Sequence, residues 1–460
     1  MRFFNDARLV RRRPRQAFHF EALEAREMYA AGDLDTTLGS QGIGMVPLTL
    51  AGGDSAGRCN AMATDAQGRA LLVGNINRGN GNNDFVIVRR TAQGLPDKTF
   101  GAAKNGQVVV GFEQGVKGDD RATCVAIDGK GRIVVGGDVE QLSGTAFGVV
   151  RLTPNGRLDT TFSGDGRAVV NFDAGGDGQD LAAGIVADKQ GRIIVVGTAQ
   201  TDTDSTRIAL TRLTPGGQLD ASFDGDGRKL IWGLKMIPNP VSDRGAAVAI
   251  DAKQRIVFAG RWGSGGSGFF GVGRLKGDGS YDGTFAKSGF TALTLDQFSG
   301  IGPDSDPKGL RFDGSGRIYV VGAIQRQTPS DYDIGLLRIT DSGELDSTFG
   351  VGGLFLMAFD LGTSKSDVPA GIVIDKQGRI VVSGTATASD TESELAIMRV
   401  TPSGQLDSSF AAAGKRTIKV GDVATAASGL RIDKLGRILV AATVRSSNSG
   451  NEFALIRLLG

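Results

Sequence analysis

Histidine is all but missing from this 460-residue chain; the single one is His19. After residue 30 there is no imidazole to activate a nucleophile or to bind a metal. Cysteine is nearly as scarce. Cys59 and Cys124 are too few for a disulfide framework and fall at non-equivalent points of adjacent repeats, so they form either one bridge or two small buried hydrophobes. No apolar run approaches the length of a spanning helix, so no membrane span is expected. Neither sign of charge is in excess, with 52 Lys and Arg against 50 Asp and Glu. Residues 1–30 carry seven Arg against Asp6, Glu21, Glu24 and Glu27, a net of +3, which leaves −1 for the remainder. A body so close to neutral lacks the electrostatic footprint of a nucleic-acid binder. A Gly-Lys-Ser/Thr phosphate loop and a sialidase-type aspartate box are also absent, and the Gly265-Gly266 pair precedes no helix.

Glycine is what the chain has in plenty. Its 71 glycines are about 15% of the residues, roughly double ordinary usage. They stand at fixed places in a repeat, as turn residues do. An Asp four residues before an Arg, with Gly before the Arg in all copies but the fourth (Gln254), and an apolar run after it, returns seven times, as Asp65–Arg69, Asp128–Arg132, Asp188–Arg192, Asp251–Arg255, Asp313–Arg317, Asp375–Arg379 and Asp433–Arg437. Steps between successive arginines are 63, 60, 63, 62, 62 and 58 residues. A period of this size with nothing helical inside it marks one supersecondary unit repeated until the array closes or is capped.

One unit reads as a turn at Leu158-Asp159 and four strands. These are Arg167–Phe172, Ala183–Asp188, Ile193–Val196 and Ile208–Leu213, with a tight Asp188–Gly191 hairpin between the second and third. Ile193–Val196 is apolar at every position, as a strand must be when both its faces are covered. Seven four-stranded antiparallel units with covered middle strands predict an all-β, seven-bladed β-propeller over residues 31–460. The turn Gly32–Gly39 has no strand before it, and Phe453–Gly460 has no turn after it, so the two ends are expected to meet and close the ring. Residues 1–30 read as a flexible basic leader.

This repeat resembles the delta-60 repeat, a bacterial module of propeller-like β fold, through Gly-Arg-Ile-x-Val-x-Gly and Leu-Asp-x-Ser/Thr-Phe returning in register. Leu38, Pro96 and Ala441-Ala442 depart from the pattern. The resemblance implies no particular activity. In the leader, Phe20–Arg26 after an arginine-rich start resembles the LEPR-XLL element, with Ala25 for the proline and Met28-Tyr29 for the leucine pair. That resemblance implies export to the cell surface or medium.

A second pair recurs as faithfully. Arg89, Arg151, Arg212, Arg274, Arg338 and Arg399 each precede an aspartate by eight residues, and Arg457 finds its partner in Asp35 if the ring closes. Seven identical copies suit a scaffold; an active site needs one asymmetric constellation. Both Asp–Arg sets are therefore read as structural and no catalytic residue is assigned. Asp220, Asp224 and Asp226 lie near glycines and offer calcium a site at Asp224 and Asp226, yet without the full Asp-x-Asp-x-Asp-Gly spacing they are read as solvated turn residues, and no cofactor is expected.

Strand parity puts the uniform hairpins and Leu-Asp turns on one face of the disc and the variable loops on the other. On the variable face Trp262, Phe298 and Tyr332, with Arg261 and Arg326, are the binding candidates; they either anchor a partner or pack under their own loops. The expectation is an exported, monomeric propeller that binds a protein or glycan without catalysis. The alternatives are a carboxylate- and arginine-based lyase or hydrolase at the central channel, which mismatched charges there would favour, and a structural envelope component.

Overall fold

The computed structural model describes residues 30–460 apart from 51–52, 80–81, 113–117, 177, 233–240, 265–266, 296, 328–330, 363–364 and 448–449. The basic leader, and the variable-loop residues among these numbers, lie outside the described residues.

Seven four-stranded antiparallel sheets follow one another along the chain. The second blade is typical: Arg121–Ile127, Ile133–Gln141, Gly144–Leu152 and Arg167–Val170 pair in that order. The seventh blade has three consecutive strands, Ala424–Ile432, Ile438–Ser446 and Gly450–Leu458. Its fourth is Ile43–Val46, in register Ile43 to Ile456 and Val46 to Phe453. Gly32 N–H donates to Leu459 O at 2.8 Å and Asp35 N–H to Arg457 O at 2.9 Å, so the two ends are joined by backbone as the sequence predicts.

The repeat frame differs from the sequence reading by one strand. Arg167–Val170 pairs with Gly144–Leu152, the strand before the Leu-Asp turn, and not with the strand that follows it. It is the outer strand of its own blade, because the turn is local and the next connection must cross from the rim to the axis. The first strand of each sheet, ending at the hairpin aspartate, is thereby innermost, and neighbouring blades meet through these strands. Side chains stitch them together: Asn60 Nδ2 donates to Ala122 O at 2.8 Å, Thr123 Oγ1 to Ala182 O at 2.7 Å and Ser428 Oγ to Cys59 O at 2.7 Å.

The core is a ring of interfaces between blades. Ile193 and Val195 join the cluster shared with the second blade, while Ile194 and Val196 join the one shared with the fourth. Alternation along a strand thus buries both faces, which is why no polar residue breaks this run. The glycine that ends the motif serves the same packing. A Cβ at Gly197 would lie 2.1 Å from Leu181 O and 2.6 Å from Phe147 Cζ, a ring from the preceding blade. In the seventh blade Ala442 takes this place, and the residue that corresponds to Phe147 is the shorter Leu395, in the same cluster.

Candidate functional site

On the uniform face each hairpin aspartate accepts from the arginine four residues on. Nε–Oδ2 separations run from 2.5 to 2.7 Å in all seven blades. The same carboxylate also accepts backbone N–H groups of its turn, as Asp188 does from Gln190 and Arg192. The second set is buried: Arg89, Arg151, Arg212, Arg274, Arg338, Arg399 and Arg457 are among the largest fully buried side chains of the molecule. Each meets its aspartate at 2.7–2.8 Å.

Arg151 illustrates what such a guanidinium does. Nε pairs with Asp159, Nη2 donates to Thr161 Oγ1 at 3.0 Å, Nη1 reaches Pro215 O in the next blade, and the Phe162 ring lies 4.6 Å below. It is a staple between neighbours, holding three acceptors at once and stacked on a ring. Arg457 makes the same contacts with Asp35, Thr37 and Ala92 O across the closure, without a ring, because Leu38 stands for the phenylalanine. Arg399 alone leaves Nη1 without a partner among the described residues; its carbonyl would come from the interrupted turn between Leu459 and Gly32. Hairpin and staple also touch, with Arg69 Nη1 3.3 Å from Asp97 and Arg437 Nη1 3.2 Å from Asp35.

The variable face is where the blades differ. Trp262 is 1% exposed, its ring parallel to Phe290 at 6.0 Å and occupying the space of a side chain at Gly271, so it has no surface to offer a partner. Arg261 is buried too. Its Nε and Nη2 hold Asp304 Oδ1 at 3.0 and 2.8 Å, and Tyr332 donates its hydroxyl to Asp304 Oδ2 at 2.8 Å. The fold therefore brings Arg261 and Tyr332 together on one aspartate, as a closed network that ties down the start of the strand Ile301–Phe312. Phe298 is half-buried against the fourth-to-fifth blade cluster, and Arg326 faces Asp333 at 3.5 Å.

Residues the sequence reading passed over stand at the mouth of the channel on this face. Seven positions before the hairpin aspartate, near the start of the inner strand, are Arg58, Arg121 and Arg244, all exposed, with exposed Leu181 between the last two. Arg121 is paired with Asp119. Beside it lies Asp138, whose carboxyl burial pushes up to about 7 although Ala182 N–H donates to it at 2.8 Å. The three arginines of this column, with Asp306 in the fifth blade, were readable in the sequence; their place beside the axis was not.

Asp220, Asp224 and Asp226 do not converge. They are held separately by Arg212, Lys229 and Arg228, and among the described residues no group of three His, Cys, Asp or Glu is placed to hold a metal. Cys59 and Cys124 are unbridged, and burial pushes both thiols up to about 12. No described helix is long and apolar enough to cross a membrane.

The buried aspartates give a pH expectation. Burial raises Asp120, Asp243 and Asp333 to about 6 and Asp138 and Asp367 to about 7. Between about pH 4 and 7 the folded state thus holds protons that the unfolded chain has released. Their contribution falls as pH rises through that window. Asp282, held at about 2 by Thr284 and Arg274 against the opposing effect of burial, acts the other way and loses stability only as pH drops below about 4. The protein is expected to melt several degrees higher at pH 5 than at pH 8 in thermal scans at fixed ionic strength. A higher melting temperature at pH 8 would mean that these carboxyls are ionised in the fold.

The model of a domain of unknown function, DUF5122 beta-propeller, matches residues 131–162, 191–223 and 378–410. Each match runs from a motif glycine to the end of a Leu-Asp turn, in line with delta-60-like repeats. No curated protein matches the sequence. Among solved structures, the chain is similar to a polysaccharide lyase PL25 ulvan lyase bound to -[GlcA(1-4)Rha3S]-, at 12% identity and TM-score 0.47, covering 94% of this chain and 95% of that one. Another is polysaccharide lyase Uly1, at 9% identity and TM-score 0.47, covering 94% and 97%. A third is the GH93 α-L-arabinofuranosidase of Fusarium graminearum with arabinobiose, at 10% identity and TM-score 0.44, covering 73% and 92%.

Proposed function

We propose, for a propeller built of delta-60-like repeats, a binding function without catalysis, in which the variable face takes an acidic glycan across the mouth of the channel. The observation that carries this reading is the run of exposed Arg58, Arg121 and Arg244 on one side of that mouth, with exposed Leu181 among them. Exposed guanidinium groups on a rigid ring suit the planar carboxylates or sulfates of such a polymer, and the apolar patch suits the faces of its sugars. The leader's resemblance to the LEPR-XLL element supports an exported location, where such polymers occur. The protein is taken to act as a monomer, each ring being closed on itself.

Titration with polygalacturonate and with heparin, and with neutral dextran as control, tests this. Binding to at least one acidic polymer is expected, weakened tenfold or more in R58A/R244A and falling steeply with salt. Equal binding of dextran, or an unchanged affinity in the double variant, would reject the proposal. A hydrolytic reading has one observation in its favour, the near-neutral Asp138 carboxyl beside Arg121. New reducing ends from either polymer, lost in D138N, would establish that reading instead.

A further inference from the structure

At the opposite end of the channel the repeat is broken differently. Two positions before the hairpin aspartate, five blades carry a small apolar residue: Ala63, Ala126, Val186, Ala249 and Val373. The fifth and seventh carry Arg311 and Arg431. Both belong to inner strands, Ile301–Phe312 and Ala424–Ile432, so both stand beside the axis near the uniform face. Neither forms an ion pair among the described residues. Each only folds back on its own strand, Arg311 Nη1 donating to Leu310 O and Arg431 Nη1 to Leu430 O, both at 2.7 Å.

The two groups also sense each other. Burial, and then repulsion from Arg311, push the Arg431 guanidinium down to about 9, still protonated at neutral pH, and burial alone lowers Arg311. Since the sixth blade stands between their strands, that repulsion acts across the channel. Both side chains are only partly buried, and two like charges that repel each other without a counter-charge are costly. Every staple arginine, by contrast, has its aspartate. A carboxylate beside them would suggest acid–base chemistry; neither one's titration is coupled to any carboxylate.

We infer that Arg311 and Arg431 form an oxyanion-binding site in the channel, filled by a sulfate, phosphate or sugar carboxylate that accepts from both guanidinium groups. This site is separate from the variable-face mouth and does not depend on the glycan reading. The free Nη2 and Nε edges of arginine match two oxygens of such an anion.

The test uses the full chain. Sodium sulfate, sodium phosphate and sodium glucuronate are each titrated against sodium chloride at equal ionic strength, with thermal melting and calorimetry as readouts. At least one is expected to raise the melting temperature saturably, by about 2 °C or more. Its affinity should fall at least tenfold in R311M and in R431M and vanish in the double variant. The anion that binds tightest identifies the source. The double variant is expected to melt at or above the wild type without anion, because two mutually repelling charges have been removed. No shift beyond chloride for any of the three, or the same shift in the double variant, overturns the site. Should the variants fail to fold, wild-type crystals soaked in selenate decide it: anomalous density between the two guanidinium groups supports the site and its absence refutes it.

Discussion

Arg151→Met is expected to lower the unfolding free energy by about 3–5 kcal/mol, the range found when one member of a buried ion pair is removed. Methionine keeps the aliphatic stem, so the loss isolates the guanidinium. Asp159, 7% exposed, would keep Thr161 as donor and Arg132 at 3.6 Å but lose its hydrogen-bonded cation. Burial raises that carboxyl, and the Thr161 bonds with Arg151 more than cancel the rise, so removing the arginine shifts the balance toward the burial penalty. Pro215 O in the next blade would lose its donor, and the Phe162 ring its stacked cation at 4.6 Å. Arg151→Lys retains the charge but cannot serve Asp159, Thr161 and Pro215 together, so an intermediate loss is expected. Denaturant melts of the three proteins settle it. A loss below about 1 kcal/mol for R151M would place the pair with solvent-exposed bridges and end the staple interpretation.

Deleting residues 1–46 should be more damaging still. The deletion removes Ile43–Val46 from the seventh blade and, with it, buried Leu38 and Val46 from the cluster joining the seventh blade to the first. It strips Arg457 of Asp35 and Thr37, leaving a fully buried guanidinium with a single carbonyl partner. The strand Gly450–Leu458 would also present an unpaired edge, the usual route to association between chains. A melting temperature lower by 10 °C or more is expected, roughly, together with oligomers in size-exclusion chromatography. A deletion of residues 1–29 serves as control, since it spares the closing strand and should melt like the full chain. Wild-type melting of the longer deletion would show that the ring holds without this strand.

Much of this architecture was legible because repetition exposes what each position must do. The Asp188–Arg192 hairpin recurs with its bonding pattern because the turn is local: five residues contain the acceptor, the donors and the glycine. The blade count followed from counting that hairpin. The one-strand error in frame has the same origin. Local turns name the strands they connect, but only backbone pairing shows that Arg167–Val170 lies against Gly144–Leu152.

The candidate sites were harder to read, for a different reason. Attention to aromatics on variable loops led to Trp262, which the fold buries over Gly271, and to Arg261 and Tyr332, which it spends on Asp304. The informative residues were those that break a column of the repeat. Arg58, Arg121 and Arg244 share one column, and Arg311 and Arg431 another; comparing copies for departures would have found both sets.

By itself, then, the sequence determined the blade, its hairpins, the strands covered on both faces and the number of copies, because these depend on turn chemistry and on alternation along the chain. The tertiary structure decided which strand lines the axis, which loops reach the mouth and which arginines are paired. Those are relations between different strands and blades, some between residues sixty or more positions apart. They arise only when the closing strand brings Ile43–Val46 against Gly450–Leu458 and turns a row of sheets into a ring.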